Sequence, residues 1–197
     1  TEKLSAPKSD SVDVFIRTLD SWSTAPHFEI SNSKMVLGLN ERNFWGLGHQ
    51  MNYKYTKRFG DGKNANSLEY QIPNIKNTFI KTILTYRIDL EGHYTKSFSI
   101  ERPFYSPLTA WAGGISLDQQ FRKDSVQDAD AVYANQNFKY NSHDFWFAKA
   151  FPVVKKDSMN HKTTNLILST RFLNKNYIES PLAAYDTINF YSSEKLL

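Results

Sequence analysis

The chain has 197 residues, enough for one domain with its own core, and nothing in its composition forces a second. It contains no cysteine, which excludes disulfide frameworks, thiolate zinc sites and cysteine nucleophiles. Its net charge of +4, with a pI near 9.1, comes from scattered basic residues rather than a stripe, and this argues against nucleic acid as a partner.

Aromatic residues make up 15% of the chain, led by 14 Phe and 11 Tyr, a bias that suits pleated surfaces better than helices. An all-β antiparallel fold is therefore expected. No run approaches the roughly 18 apolar residues of a spanning helix. No apolar signal-peptide core opens the sequence either, so a secreted protein would be read here in its mature form.

In chain order, residues 1–10 (TEKLSAPKSD) are polar and expected to be flexible. Residues 11–22 (SVDVFIRTLDSW) read as a strand leading into the main domain, 23–197. PHFEISNSKMVLGLNERN predicts one or two strands about a break at Ser31 to Ser33. In NFWGLGHQMNYKYTKRF, Leu47, Met51, Tyr53, Tyr55 and Phe59 share one parity, while Gln50, Asn52, Lys54, Thr56 and Arg58 hold the other. That period of two predicts a strand with one apolar and one polar face.

A polar loop at Gly60 to Asn66 signals a hairpin into SLEYQIP. NTFIKTILTYRIDL repeats the alternation with Ile80, Leu84, Tyr86 and Ile88 against Lys81, Thr85, Arg87 and Asp89. HYTKSFSIERPF sets Tyr94, Phe98 and Ile100 against Thr95, Ser97, Ser99 and Glu101. LTAWAGGISLDQQF sets Trp111, Ile115, Leu117 and Phe121 against Ala112, Gly114, Ser116 and Asp118. RKDSVQDADA reads as a polar loop, and NFKYNSHDFWFAKAF, TTNLILSTRFL and DTINFYSSE supply three more strands. The total is nine or ten strands and no helix.

Several of these strands run to about 11 to 14 residues, beyond the five or six usual in soluble domains and close to what a tilted membrane-spanning strand requires. The turns fall into two alternating sets. One is short and marked by proline or glycine (FWGLG, IPNIKN, RPFYSP, FPVV), and the other is more polar and variable (GDGKNAN, LEGH, RKDSVQDADA, NKNYIESP). Aromatics gather near expected strand ends at Phe44, Trp45, Phe104, Tyr105, Phe145 to Phe147 and Phe151, as a membrane-interface girdle would. Lys57, Lys96 and Arg102 share the apolar parity, which fits lipid exposure only if they lie near a rim and snorkel.

No catalytic, metal or cofactor motif emerges. The five histidines, His27, His49, His93, His143 and His161, are far apart, and none forms an H-x-H or H-E-x-x-H pair. His143 and Asp144 are adjacent and would point to opposite faces of a strand. Asp118, Asp124, Asp128 and Asp130 form an acidic group without the Gly and Glu of a calcium loop. No nucleophile elbow and no phosphate loop is present. A non-enzymatic protein is expected.

The run Asn43-Phe44-Trp45-Gly46-Leu47-Gly48 is similar to the Asn-x-Leu-Gly-x-Gly turn of the BamA/TamA family of outer-membrane protein assembly factors, in the bacterial surface antigen superfamily. Ile72-Pro73-Asn74 and the segment Phe98 to Pro107 ahead of Trp111-Ala112-Gly113-Gly114 continue the likeness. Val12 to Leu19 resembles the last strand of the family's final POTRA module. The chain departs from the family in supplying about half of the sixteen strands, in lacking its Arg-Gly-Phe loop motif, and in ending in SSEKLL.

The resemblance implies a transmembrane-type β-barrel of the bacterial outer membrane, either half of a sixteen-stranded barrel or a smaller closed one. It also implies that other outer-membrane proteins are inserted by strand augmentation at an openable seam. The expected periplasmic turn comprises Asn43, Phe44, Trp45, Gly46 and Gly48. The expected seam strand includes Trp22, Pro26, Phe28 and Ile30, with Pro26 weakening its pairing. Leu47, Met51, Tyr53, Tyr55, Ile80, Leu84, Tyr86, Phe98, Ile100, Trp111, Ile115 and Leu117 would face lipid. Partners would be membrane lipids, nascent outer-membrane proteins and other assembly-complex subunits. The alternatives are a passive outer-membrane channel and a soluble lipocalin-like barrel that binds an apolar ligand.

Overall fold

The computed structural model describes residues 21–127, 132–153, 164–182 and 193–196. Among them there is no helix. Ten strands follow one another as β1 (Thr24–Ile30), β2 (Lys34–Phe44), β3 (His49–Arg58), β4 (Asn64–Ile72), β5 (Lys81–Ile88), β6 (Tyr94–Arg102), β7 (Trp111–Gln127), β8 (Tyr133–Pro152), β9 (Asn165–Glu179) and β10 (Ser193–Leu196). They form a single antiparallel sheet in which spatial order equals chain order. Each strand pairs only with its sequence neighbours, as hairpin connections favour.

The sheet is open. Among the described residues β1 contacts only β2 and β10 only β9, so the expectation of a smaller closed barrel is not met. Among the described residues one edge strand has 7 residues and the other 4, against 15 in β9.

Register explains why the alternation was legible. In an antiparallel ladder directly opposed residues share a face, so the apolar parity of one strand must meet the apolar parity of the next. It does so repeatedly: Phe28 opposes Leu37, which opposes Tyr55; Tyr53 opposes Leu68, which opposes Tyr86; and Leu84 opposes Phe98, which opposes Leu117. Ile115, Phe145 and Phe172 continue the face into β9. A slip of one residue anywhere would put these rings among Lys54, Arg87 and Asp118.

Several expected boundaries move. Arg122 to Gln127, read as loop, belongs to β7 and pairs with Phe138 to Tyr133, so the β7–β8 hairpin outruns its neighbours. Polar residues hide a strand whose neither face is covered by apolar neighbours. Leu47, Phe59 and Phe104 lie in turns, and Ile80 precedes β5, so none of the four sits on a ladder. The proline- and glycine-marked connections do share one rim, but they are the longer set there: 45–48, 73–80 and 103–110, against 31–33, 59–63 and 89–93 on the other rim. The segment 1–20, which includes the POTRA-like Val12 to Leu19, lies outside the described residues, as do Asp128, Asp130, His161 and most of DTINFYSSE.

Candidate functional site

The two faces of the sheet differ in kind. Among the described residues the five buried hydrophobic ones, Val36, Ala112, Phe138, Ala148 and Ala150, all occupy the polar face by register, which also carries Thr56, Ser99 and Asp144. Crowding of this sort is expected on the inner side of a curling sheet. The apolar face is uncovered. Leu84 is 48% exposed there, and Leu37, Tyr53, Leu68, Tyr86, Phe98, Trp111, Ile115, Leu117 and Phe145 are exposed beside it. Met51, Tyr55 and Ile100, also expected to face lipid, take the same face. An exposed apolar surface that runs over nine strands far exceeds the patches of ordinary soluble monomers and marks an interaction surface.

This face has a boundary, and the boundary drifts. The first polar residue beyond the apolar run is Lys57 on β3, Asn66 on β4, Lys96 on β6, Gln119 on β7, His143 on β8 and Asn174 on β9. β5 departs from the trend, because Tyr86 and Ile88 carry its apolar run to the strand end. Cross-strand pairing places Asn174 in the row of His143, Leu117, Phe98, Leu84, Tyr70 and Met51. Six strand intervals therefore shift the boundary by the six residues that separate Met51 from Lys57. One residue per strand, at about 3.3 Å rise and about 4.8 Å between strands, corresponds to strands tilted by about 35° to the normal of a flat slab.

The rims bear aromatic and ionic clusters. At the proline rim, Trp45 stacks on Phe44 at 4.9 Å, and Phe79 stacks on Tyr105 at 3.8 Å. The Arg102 guanidinium lies 4.1 Å from the Trp111 ring and 4.9 Å from that of Tyr105, and it donates to the Trp111 carbonyl at 2.6 Å and the Thr78 carbonyl at 3.3 Å. One cation thus ties two turns together through its own aromatic cover. Arg102 closes β6 at this rim, while Lys57 and Lys96 lie near the other, so these three cations can reach water. Phe145 and Phe147 are not at a strand end as expected. They sit within β8 on the apolar face, with Trp146 between them on the other.

The Asn43–Gly48 turn behaves as its glycines require. Gly46 and Gly48 adopt φ of 73° and 70°, and the Gly48 N–H donates to Asn43 Oδ1 at 2.7 Å. Trp45 also takes a positive φ, 52°, although it is bulky and 84% exposed. Sequence reasoning found the turn but missed that the tryptophan itself carries the strained position.

At the opposite rim Arg58 donates to Asp61 and to Glu91, and Lys63 to Glu91 at 2.6 Å, which joins the β3–β4 and β5–β6 turns. The Arg58 guanidinium holds the Asp61 carboxyl well below the usual range, and Lys63, then Arg58, depress Glu91.

Pairing of β1 with β2 is unbroken from Thr24 to Ile30. The flanking bonds Ser31 N–H to Lys34 O and Arg42 N–H to Ser23 O fix its phase: odd-numbered residues of β1 exchange bonds with β2, and even-numbered ones turn their backbone groups outward. Pro26 is even. Its missing donor therefore leaves the β2 ladder intact and interrupts the outer edge, between Thr24 and Phe28. Trp22 precedes the strand and is fully open to solvent.

On the polar face Trp146 lies over Gly114, where an added methyl would come within 2.5 Å of the indole Nε1 and 3.0 Å of Glu101 Cβ. Arg171 makes a two-bond pair with Asp144, Nε to Oδ1 at 2.9 Å, so Asp144 engages the polar face while His143 opposes Leu117 on the other. Asp118 and Asp124 are strand residues of β7 rather than loop ligands, and no group of three potential metal ligands occurs among the described residues.

No known protein family, curated protein or solved structure matches the chain.

Proposed function

We propose that the sheet is a wall section of a bacterial outer-membrane β-barrel, with its apolar face on lipid and its polar face on a lumen. The observation that carries this reading is the drifting boundary of the exposed apolar face. A core packed against another protein layer needs no straight edge, whereas a lipid slab imposes one, and the tilt of about 35° it requires falls at the low end of the range for membrane barrels. The stacked aromatics and Arg102 at the proline rim sit where headgroups would meet the slab.

Within that reading the chain acts without catalysis, as the barrel of an assembly factor that receives incoming strands. Two features support this finer statement: the likeness of the Asn43–Gly48 turn and the segments after it to BamA/TamA proteins, and the β1 edge. That edge offers outward carbonyls at Thr24, Pro26, Phe28 and Ile30 but no donor at Pro26, so a strand added there gains an incomplete ladder and can be released.

Tryptophan quenching by brominated lipids tests the membrane placement. In vesicles of brominated phosphatidylcholine, a variant keeping only Trp111 should be quenched strongly and one keeping only Trp146 weakly; equal, weak quenching of both would rule out this orientation. The edge role is tested by Pro26→Val, which restores an outward donor. Crosslinking of β1 to a neighbouring strand should rise and insertion of client barrels should fall, and no change in either would remove β1 from the mechanism.

A further inference from the structure

On the apolar face, a groove of about 590 Å³ crosses the boundary between β4 and β8. Its floor is apolar, with Leu84, Phe98 and Leu117 in one cross-strand row. Its upper wall is the next row, in which Lys96 opposes Gln119 and Gln119 opposes Asn141. Gln119 donates to Asn141 Oδ1 at 3.0 Å, which fixes the two amides. The Lys96 ammonium is held 5.2 Å from the Tyr94 ring and 6.0 Å from the Tyr86 ring, and no ion pair forms with it among the described residues. Arg58, Lys63, Lys81, Lys139 and Arg171 all have carboxylate partners.

We infer that this groove is a site for one anionic membrane lipid, with an acyl chain along Leu84, Phe98 and Leu117 and the phosphate on Lys96. The inference rests on the membrane reading and adds a specific ligand to it. Charge complementarity selects the occupant. A neutral apolar ligand would leave the ammonium unused, and a free phosphate would make no use of the apolar floor. A lipid phosphate satisfies both at the depth where the apolar face ends. The aromatic rings beside Lys96 hold the ammonium at that depth without neutralising it.

The test measures which lipid the full chain keeps when released from mixed micelles of phosphatidylglycerol and phosphatidylcholine in native mass spectrometry. The wild type should retain one phosphatidylglycerol in preference. Lys96→Met should lower that preference about fivefold, the worth of one lysine near an anionic surface. Lys57→Met, a lysine of the same face outside the groove, should leave it unchanged, and glycerol 3-phosphate should not displace the lipid. An unaltered preference in Lys96→Met, an equal loss in Lys57→Met, or displacement by the free phosphate would overturn the site. Failure of the membrane reading itself would show separately, as the absence of Trp111 quenching.

Discussion

The two faces of this sheet are built from the same strands, residue by residue in alternation, yet they keep opposite company. Leu84 and Thr85 are neighbours in β5; Leu84 opposes Tyr70 and Phe98, and Thr85 opposes Glu69 and Ser97. The polar face pairs its charges, as Arg171 does with Asp144, and buries small residues such as Ala112 and Ala148. The apolar face leaves most of its large side chains exposed. Each face is suited to a different medium, and the strand between them is the only partition.

The sharpest way to break that contrast is to place one charge on each side. In a bilayer Leu84→Arg should cost about 2 to 4 kcal/mol, the penalty for a cation on the lipid side of a barrel near its midplane. Thr85→Arg, one residue away, should stay within about 0.5 kcal/mol. Urea unfolding from vesicles measures both, and equal costs would mean that the faces share one environment.

A smaller effect separates packing on the polar face from mere polarity. Gly114→Ala forces its new methyl against the Trp146 ring and the Glu101 side chain, and it should destabilise by about 1 to 3 kcal/mol with a change in the near-ultraviolet dichroism of the indole. Gly46, which has nothing within 4 Å of an added methyl, would lose stability through its φ of 73° instead, and its substitution should leave that spectrum alone.

The smallest expected effect lies at the polar rim. Asp61 and Glu91 are depressed in the fold, so their ion pairs contribute stability above the ordinary carboxylate pKa of about 4 and lose it as the pH falls through their lower folded values. Protection factors, the exchange rates corrected for the intrinsic pH dependence of amide exchange, should be flat from pH 8 to 5 in the turns at 59–63 and 89–93 and fall below about pH 4. Salt should reproduce part of that loss of protection at neutral pH, because these pairs are exposed.

Much of this architecture could be read from the chain. Tyr53 and Tyr55, Leu84 and Tyr86, and Ile115 and Leu117 announced their face by parity, and Gly46 and Gly48 announced their turn. Residues whose pattern was equally suggestive but whose backbone left the ladder were misread: Leu47 and Ile80 keep the parity of the strands they adjoin and sit outside them. Arg122 to Gln127 failed in the other direction, since a polar strand held by its hairpin partner carries no alternating signal. Trp146 looked like one of three clustered aromatics, and only the register shows it turned away from Phe145 and Phe147 onto Gly114.

The sequence alone determined that these strands have an oily and a wet side, because alternation is a property of the extended chain and needs no partner to exist. It did not determine where the oily side ends from one strand to the next, or that the nitrogen of Pro26 faces away from β2. Both depend on register and hydrogen-bond phase between strands, which arise only when the ladder forms. The tertiary structure therefore decided the register, the boundary and the character of the open edge.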